Sequence, residues 1–423
     1  GGDQAFLVGV LRALIETDAV DHAFVESETT GFAEARARAL SADWDAIERE
    51  SGLSRARIGE FARLLATRPN AVLVWSMGLT QHAHGADTVK ALVNVGLARG
   101  LPGRPNRGLV PIRGHSGVQG GAEVGCAPVV DATAAARWTD VWGFPVSAGR
   151  GWAASEMIDQ AADGAIDLFW FVGGNFLETV ADEAKCRRAL ARPKLRVHHD
   201  IVLSSSMLAE SDGDVLILPA ATRYESEGGG TETSTERRII YSPEIPGRRI
   251  GSARPEWWAF SEAFARAFPE RADRIRFTDA GAIRREIAKA VPLYAGIERL
   301  NAKGDQVQWG GPTLYADGRF ATADGKAHFA PISAGRGAPG PTAGVHPVFR
   351  VSTRRGKQFN SMIQREVDPL NGSSRDAVLI SGADLRTLNL ADGALVRLRS
   401  DDGMFDRSEE HTSELQSPYV ISY

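Results

Sequence analysis

The chain has 423 residues, 43% of them hydrophobic and 24% charged, with a formal net charge of −4. This is the balance of a globular chain of two or three domains, and it argues against a nucleic-acid surface or a basic membrane-binding face. No apolar run is long enough to span a bilayer as a helix. The two cysteines, Cys126 and Cys186, show neither disulfide-scaffold nor metal-ligand spacing and read as buried or idle thiols.

In chain order, the first predicted helix covers 5–16, where Phe6, Leu7, Val10, Leu11, Leu14 and Ile15 recur at helical spacing. Helices follow over 32–40, over 44–50 and from Ser54, whose apolar face carries Ile58, Phe61, Leu64 and Leu65. Such stripes read as core. Val72 to Trp75 reads as a buried strand, and a loop leaves its carboxyl edge at Met77-Gly78. Ligands of open α/β sheets sit at that edge. Residues 85–99 form the next helix, closed by Gly100 and Pro102. His82 and His84 read as polar residues at its start.

The stretch Pro111-Ile112-Arg113-Gly114-His115-Ser116-Gly117-Val118-Gln119-Gly120-Gly121 is the most informative in the chain. Its glycines allow backbone to approach a bulky ligand. Arg113 offers a rigid fork of donors for a carboxylate or phosphate. His115 can donate, accept or move a proton near neutral pH, and Gln119 can bond both edges of a flat heterocycle. Taken alone, the stretch is equally a glycine-rich surface loop.

Residues 126–150 read as irregular, with Trp138, Trp142 and Phe144 anchoring a long loop. Alternation then resumes: a helix over 153–162, a strand over 166–172 ending in Gly173-Gly174-Asn175-Phe176, a helix over 182–190, and a strand over 195–199 topped by Asp200. Asp200 can accept two donors from a guanine edge or cap a helix, and Ser204 can add a hydroxyl. His198 and His199 are neighbours on a strand, so they face opposite ways and make poor co-ligands. A strand over 214–219 and helices over 260–268 and 282–290 follow, with a short helical passage over 293–299. Residues 333–345 read as a Gly/Pro/Ala-rich linker, and 346–406 as a β-rich part with strands near 347–353, 377–380 and 394–398.

The motif Met77-Gly78-Leu79-Thr80-Gln81-His82, then a helix, then Arg113-Gly114-His115-Ser116-Gly117-Val118-Gln119-Gly120 resembles the large catalytic subunit of molybdopterin oxidoreductases. Within that superfamily the resemblance is to formate dehydrogenase alpha subunits and formate-dehydrogenase-like proteins. It extends over about residues 5–405. Asp214 to Pro219 resembles the family's "ADVILP". Residues 224–238 resemble its "E-x-x-G-T-x-x-N-x-E-x-R", with Ser234 at the asparagine position. Pro255-Glu256-Trp257 and Gly325-Lys326-Ala327-His328-Phe329 match further elements, and Thr353-Arg354-Arg355 resembles "T-G-R" with Arg354 for glycine.

The resemblance implies an α/β fold: open, mostly parallel sheets with flanking helices in two dinucleotide-binding-like domains (1–125 and 126–332), then the truncated start of a β-barrel (346–406). It implies molybdenum or tungsten held by a bis-molybdopterin guanine dinucleotide cofactor. Met77, Gly78, Thr80, Gln81, Gln119, Gly120, Gly174, Asn175, Asp200, Ser204, Glu236, Arg238, Glu256, Thr353 and Arg355 would contact that cofactor. Arg113 and His115 would be the catalytic pair, with His115 standing where the best-known formate dehydrogenases have glutamine. The family begins with a 4Fe–4S module and a metal-ligating segment, and neither has a counterpart here. The chain is therefore expected to be an internal fragment, inactive alone, of a cytoplasmic oxidoreductase that oxidises formate or a similar small substrate and passes electrons to a partner subunit. A non-catalytic descendant of the same fold, as in the large peripheral subunit of respiratory complex I, and a generic α/β nucleotide-binding domain are the competing readings. With the barrel cut off at Asp406, its strands are expected to lack partners and to be poorly ordered.

Arg407 to Ser417 can be encoded by a widely used short-read sequencing adapter, and Ile421-Ser422-Tyr423 fits a later part of it. Residues 407–423 are therefore read as an untrimmed artefact, outside fold reasoning. Resequencing the source DNA across the Asp406 codon should show the natural frame departing there; a reproducible frame through the tail would refute the artefact.

Overall fold

The computed structural model describes residues 2–114, 117–180, 182–247, 249–335, 349, 366–369, 371–374, 377–399 and 404–411. The chain divides into two compact units, Gly1–Gly337 and Ala338–Tyr423.

The first unit starts with the helix Asp3–Glu16, which buries Val8, Val10, Leu11 and Leu14 against the helices Phe32–Ser41, Trp44–Ser51, Arg55–Thr67 and Gly85–Ala98. Local chemistry sets their starts. Asp43 accepts from the Ala46 N–H at 3.1 Å and Ser54 from the Arg57 N–H at 3.4 Å, relieving orphan amides at the first turn. The strands Val72–Trp75 and Gly108–Pro111 pair in parallel, with Val72 opposite Gly108 and Trp75 opposite Pro111. The helix Gly85–Ala98 is the crossover between them, as parallel pairing requires.

Segments distant in sequence close this core. Thr29–Thr30 pairs in parallel with Ala327–His328. Asn94, 2% exposed, donates from Nδ2 to the Ala330 carbonyl at 2.7 Å and accepts from its N–H at 3.0 Å. Gln4 donates to the Ser333 carbonyl at 2.9 Å.

A second sheet of three parallel strands, Leu168–Val172, Leu195–Asp200 and Asp214–Pro219, lies in chain order. Ile158, Ala161, Ala162, Phe171, Cys186, Ala189 and Leu190 form its core with the helices Ala154–Ala162 and Glu183–Ala191. Arg196, fully buried, gives its guanidinium to the carbonyls of Leu190, Met207, Ala209 and Glu210, tying the helix end and the 205–210 segment to the central strand. Both cysteines are free thiols, Cys186 buried and Cys126 exposed, in keeping with the expectation of buried or idle thiols.

A third part is an antiparallel meander, Gly230–Thr233, Arg238–Ser242 and Gln306–Gln308. It packs Ile239 and Tyr241 against Trp138, Tyr294, Ile297 and Leu300. One expectation is corrected here. The stretch 126–150 is not a long irregular loop, because Ala132–Trp142 is a helix. Asp131 caps it by accepting from the Ala134 N–H at 2.8 Å, Gly143 ends it at φ 69°, and its alanines have the highest helix propensity. Trp138 and Trp142 lie on that helix with ring centroids 5.7 Å apart. The passage near 293–299 is two 3-10 turns, Pro292–Tyr294 and Ile297–Arg299.

In the second unit, Val378–Ile380, Leu395–Arg399 and Met404–His411 form one sheet, with the helix Gly382–Leu388 capped by Ser381. Met404–His411 lies between the other two, parallel to the first and antiparallel to the second. The strands at 378–380 and 395–399 therefore have a partner, contrary to expectation. The pairing runs past Asp406 into the segment read as adapter; ladder bonds use backbone groups that any sequence carries, so pairing says nothing of origin. The strand expected at 347–353, apart from Phe349, and most of the linker lie outside the described residues.

Asn94→Ala should lower unfolding stability by about 2 kcal/mol, since it leaves the Ala330 N–H unpaired and its carbonyl with the Ile332 N–H as remaining donor. Urea unfolding reads this as a lowered midpoint, and an unshifted midpoint would show that the Asn94 clasp does not hold the 327–333 segment.

Candidate functional site

Two groups of expected site residues come together at carboxyl edges of parallel strands. The first lies where Val72–Trp75 and Gly108–Pro111 end. The Ile112 N–H donates to the Trp75 carbonyl at 2.7 Å, and the Ser76 hydroxyl to the Ile112 carbonyl at 3.1 Å. The two loops therefore leave side by side. Met77 opens the short helix Met77–Thr80, and its methyl carbon lies 3.2 Å from where a Cβ on Gly114 would be. Gln81 reaches back to the Met77 sulfur at 3.7 Å, and Thr80 is exposed. His82 donates within its own turn, from Nε2 to the Gly78 carbonyl oxygen at 2.7 Å. Arg113 is exposed and makes no hydrogen bond or ion pair among the described residues. His115 and Ser116 lie outside them.

The loop re-enters the described chain at Gly117, whose N–H donates to the Thr233 carbonyl at 3.0 Å. Gly120 donates to the Thr233 hydroxyl at 3.0 Å. A Cβ there would stand 2.9 Å from the Thr233 methyl carbon, so only glycine allows this approach. Gln119 donates to Glu123 at 2.8 Å. Glu236 and Arg238, both exposed, sit on the tight connection that follows Thr233. The Ser234 hydroxyl, followed by a backbone N–H, holds the Glu236 carboxyl below its ordinary range.

The second group tops the sheet Leu168–Val172, Leu195–Asp200, Asp214–Pro219. Gly173 and Gly174 both turn through positive φ, 66° and 79°, which glycine alone adopts freely. Asn175 is spent on structure: its amide donates to the Ser205 hydroxyl at 2.9 Å and accepts from the Ser206 hydroxyl at 2.6 Å and N–H at 3.2 Å. Asp200 caps no helix; its carboxylate accepts from the Ile201 N–H at 2.7 Å. The Ser204 hydroxyl is buried with no partner among the described residues. Glu256, half-buried, occupies the first turn of the helix Glu256–Ala267. Thr353 and Arg355 lie outside the described residues.

The two groups stand on separate sheets, joined through the 220–232 segment. Ala220 donates to the Asp200 carbonyl at 2.9 Å, Arg223 pairs with Glu232 at 2.8 Å, and Glu232 packs 3.7 Å from a Cβ position on Gly117. Thr233, Glu123, Tyr294, Ser205 and Ser206 were not singled out from the sequence. Only Glu123 carries a local signal, its place one helical turn after Gln119.

His198 and His199 point to opposite faces, as strand alternation requires. His198 stacks on Phe171 with centroids 4.8 Å apart, and His199 Nε2 lies 3.2 Å from the Arg254 carbonyl oxygen. Burial, and then the neighbouring Arg196, push His198 down to about 4.

Glycine turns at the carboxyl edges of parallel strands, with an arginine and a buried hydroxyl that have no partner among the described residues, make an α/β protein with the edge geometry at which such folds take ligands. The molybdopterin oxidoreductase family profile matches residues 1–265, and the chain belongs to that family. Among curated relatives, protein YdeP of Escherichia coli K12 is 29% identical over 94% of this chain and 54% of its own length. An uncharacterized oxidoreductase of Mycobacterium tuberculosis is 30% identical over 100% of this chain and 56% of its own. YrhE of Bacillus subtilis, provisionally named a formate dehydrogenase, is 29% identical over 78% of this chain and 34% of its own. The chain thus spans about half the length of the first of these relatives. Acetylene hydratase from Pelobacter acetylenicus shares the fold, with a TM-score of 0.65 at 14% identity, over 99% of this chain and 62% of that one. The expected α/β architecture of small, mostly parallel sheets flanked by helices is therefore present. Among the described residues, no helix is long and apolar enough to cross a membrane.

Family membership implies a molybdopterin cofactor with molybdenum or tungsten, and the residues present fit one. A Cβ on Gly78 or Gly173 would meet nothing within 4 Å, so backbone there is open to a flat ring. The unpartnered Ser204 hydroxyl has a donor and acceptor to spare.

His198 binds a proton in the unfolded chain below about 6.5 and in the folded chain only below about 4. Its share of stability is therefore complete near neutral pH and is lost as pH falls across that window. Compared from pH 7 to 4, the urea midpoint of wild type should fall relative to that of His198→Leu; a constant difference would disprove the buried neutral imidazole.

Proposed function

We propose that the complete protein is a formate-dehydrogenase-like oxidoreductase that takes two electrons from formate or a similarly small carboxylate. The carrying observation is Arg113, a permanently charged fork with no partner among the described residues, beside Met77 at the edge where the two loops leave the sheet. An arginine so placed can hold a carboxylate in two parallel hydrogen bonds. It orients the substrate C–H, and orientation is worth several powers of ten in rate. His115, inside the same loop, would hydrogen-bond the substrate or the pterin.

When bound, the metal centre would supply the two-electron acceptance that oxidation of formate to carbon dioxide and a proton requires. We infer a bis-molybdopterin guanine dinucleotide, with Met77, Gly78, Thr80, Gln81, Gln119 and Gly120 along one half. Gly174, Asn175, Asp200, Ser204, Glu236, Arg238 and Glu256 would lie along the other, joined by Thr353 and Arg355. Asn175 would serve indirectly, since its amide already pins the Ser205–Ser206 turn. Electrons would leave through a 4Fe–4S cluster to a partner subunit, in the cytoplasm. The domain divisions at 125, 332 and 345 belong to the same reading.

The fold alone does not choose the reaction, because a protein named for hydrating acetylene shares it. Two measurements on the complete protein decide. Metal and nucleotide analysis should find molybdenum or tungsten with two guanine nucleotides per chain; nucleotides without metal would favour a structural paralogue. Arg113→Lys or Gln should cut kcat/KM for formate about 100-fold or more at unchanged metal content. Unaltered turnover would remove Arg113 from the chemistry.

A further inference from the structure

The loop that carries Arg113 is held at both ends. It begins with the Ile112–Trp75 backbone bond and ends with the Gly117–Thr233 one. Directly after it, the short helix Val118–Glu123 sets Gln119 and Glu123 one turn apart. One carboxylate oxygen of Glu123 accepts from Gln119 Nε2 at 2.8 Å. The other accepts a short hydrogen bond from the Tyr294 hydroxyl. Tyr294 is 3% exposed and packs among Trp138, Ile239 and Ile297. Burial first, and then the bond to Glu123, push its hydroxyl well above the ordinary tyrosine range, so it stays a donor at neutral pH.

We propose that Glu123, fixed by Tyr294, is a positioning residue that sets which edge of the Gln119 amide faces the ligand. A carboxylate offers acceptors only, so it captures the amide NH2 and turns the carbonyl oxygen Oε1 away. That oxygen makes no hydrogen bond among the described residues. Gln119 therefore presents an acceptor, and the ligand edge it selects is the N–H-bearing edge of a flat heterocycle. The identity of that heterocycle as a pterin rests on the proposed function above; the clamp on the loop does not.

The test uses the complete protein with Tyr294→Phe, Glu123→Ala and Glu123→Gln. Hydrogen exchange of amides 117–124 should rise about tenfold in Tyr294→Phe and Glu123→Ala, the scale of one lost charge-assisted bond. Exchange in Arg238–Ser242 and Ala280–Ala290 should stay as in wild type. Cofactor content, read as released guanine nucleotide per chain, should fall in Glu123→Ala and partly recover in Glu123→Gln, which keeps one acceptor. Unchanged exchange at 117–124 would overturn the clamp. So would an equal rise in all three segments, the mark of a purely structural role. Undiminished nucleotide content in Glu123→Ala would overturn the orientation of Gln119. Absence of metal and nucleotide from wild type would end the proposed function alone, and the exchange result would still decide the clamp.

Discussion

The parallel pairing of Val72–Trp75 with Gly108–Pro111 is the constraint on which the site depends. Two parallel strands in register end at the same edge, so their following loops must emerge as neighbours. An antiparallel pair would have put Met77 and Arg113 at opposite ends. The cost is a long crossover, which the helix Gly85–Ala98 fills while burying Ala91, Leu92, Val95 and Leu97 in the main core. The same rule repeats in the second sheet, where Val172 and Asp200 end adjacent strands and bring the Gly173–Asn175 turn beside the 204–206 turn.

Buried polar side chains, more than apolar contact, hold the irregular segments that these edges generate. Arg196 enters the second core with no carboxylate partner among the described residues, and burial lowers its affinity for a proton. It is tolerated because carbonyls from two segments converge on its guanidinium, and a buried charge that kept no such partners would cost several kcal/mol. Asn94 does the same for the 330 segment, Asn175 for the turn under Asp200, and Thr233 for the loop after Arg113. Each satisfies backbone groups that no helix or ladder reaches.

The site residues divide accordingly. The Arg113 and Thr80 side chains face outward with no partner among the described residues, whereas Asn175 and Gln119 already spend part of their capacity inside the protein. A side chain in the second class acts by shape and polarity that its neighbours have set. On the function proposed above, reaction type would reside in the first class and in the bound metal; the fold itself is shared by an acetylene hydratase.

Much was decided by contiguous sequence. The motifs at 77–82 and 113–120 are each contiguous in sequence, so the family was legible without coordinates, and so were the strands at 72–75, 195–200 and 214–219, although Val72 and Val74 are exposed where a buried strand was expected. The helix Ala132–Trp142 escaped because its tryptophans read as loop anchors, although Asp131 and Gly143 mark its ends. Only the tertiary structure could supply Thr233 and Tyr294. They meet the Gly120 amide and Glu123 across separations of 113 and 171 residues. Local spacing carries no trace of a contact made when a sheet edge and a separate core fold against the same loop.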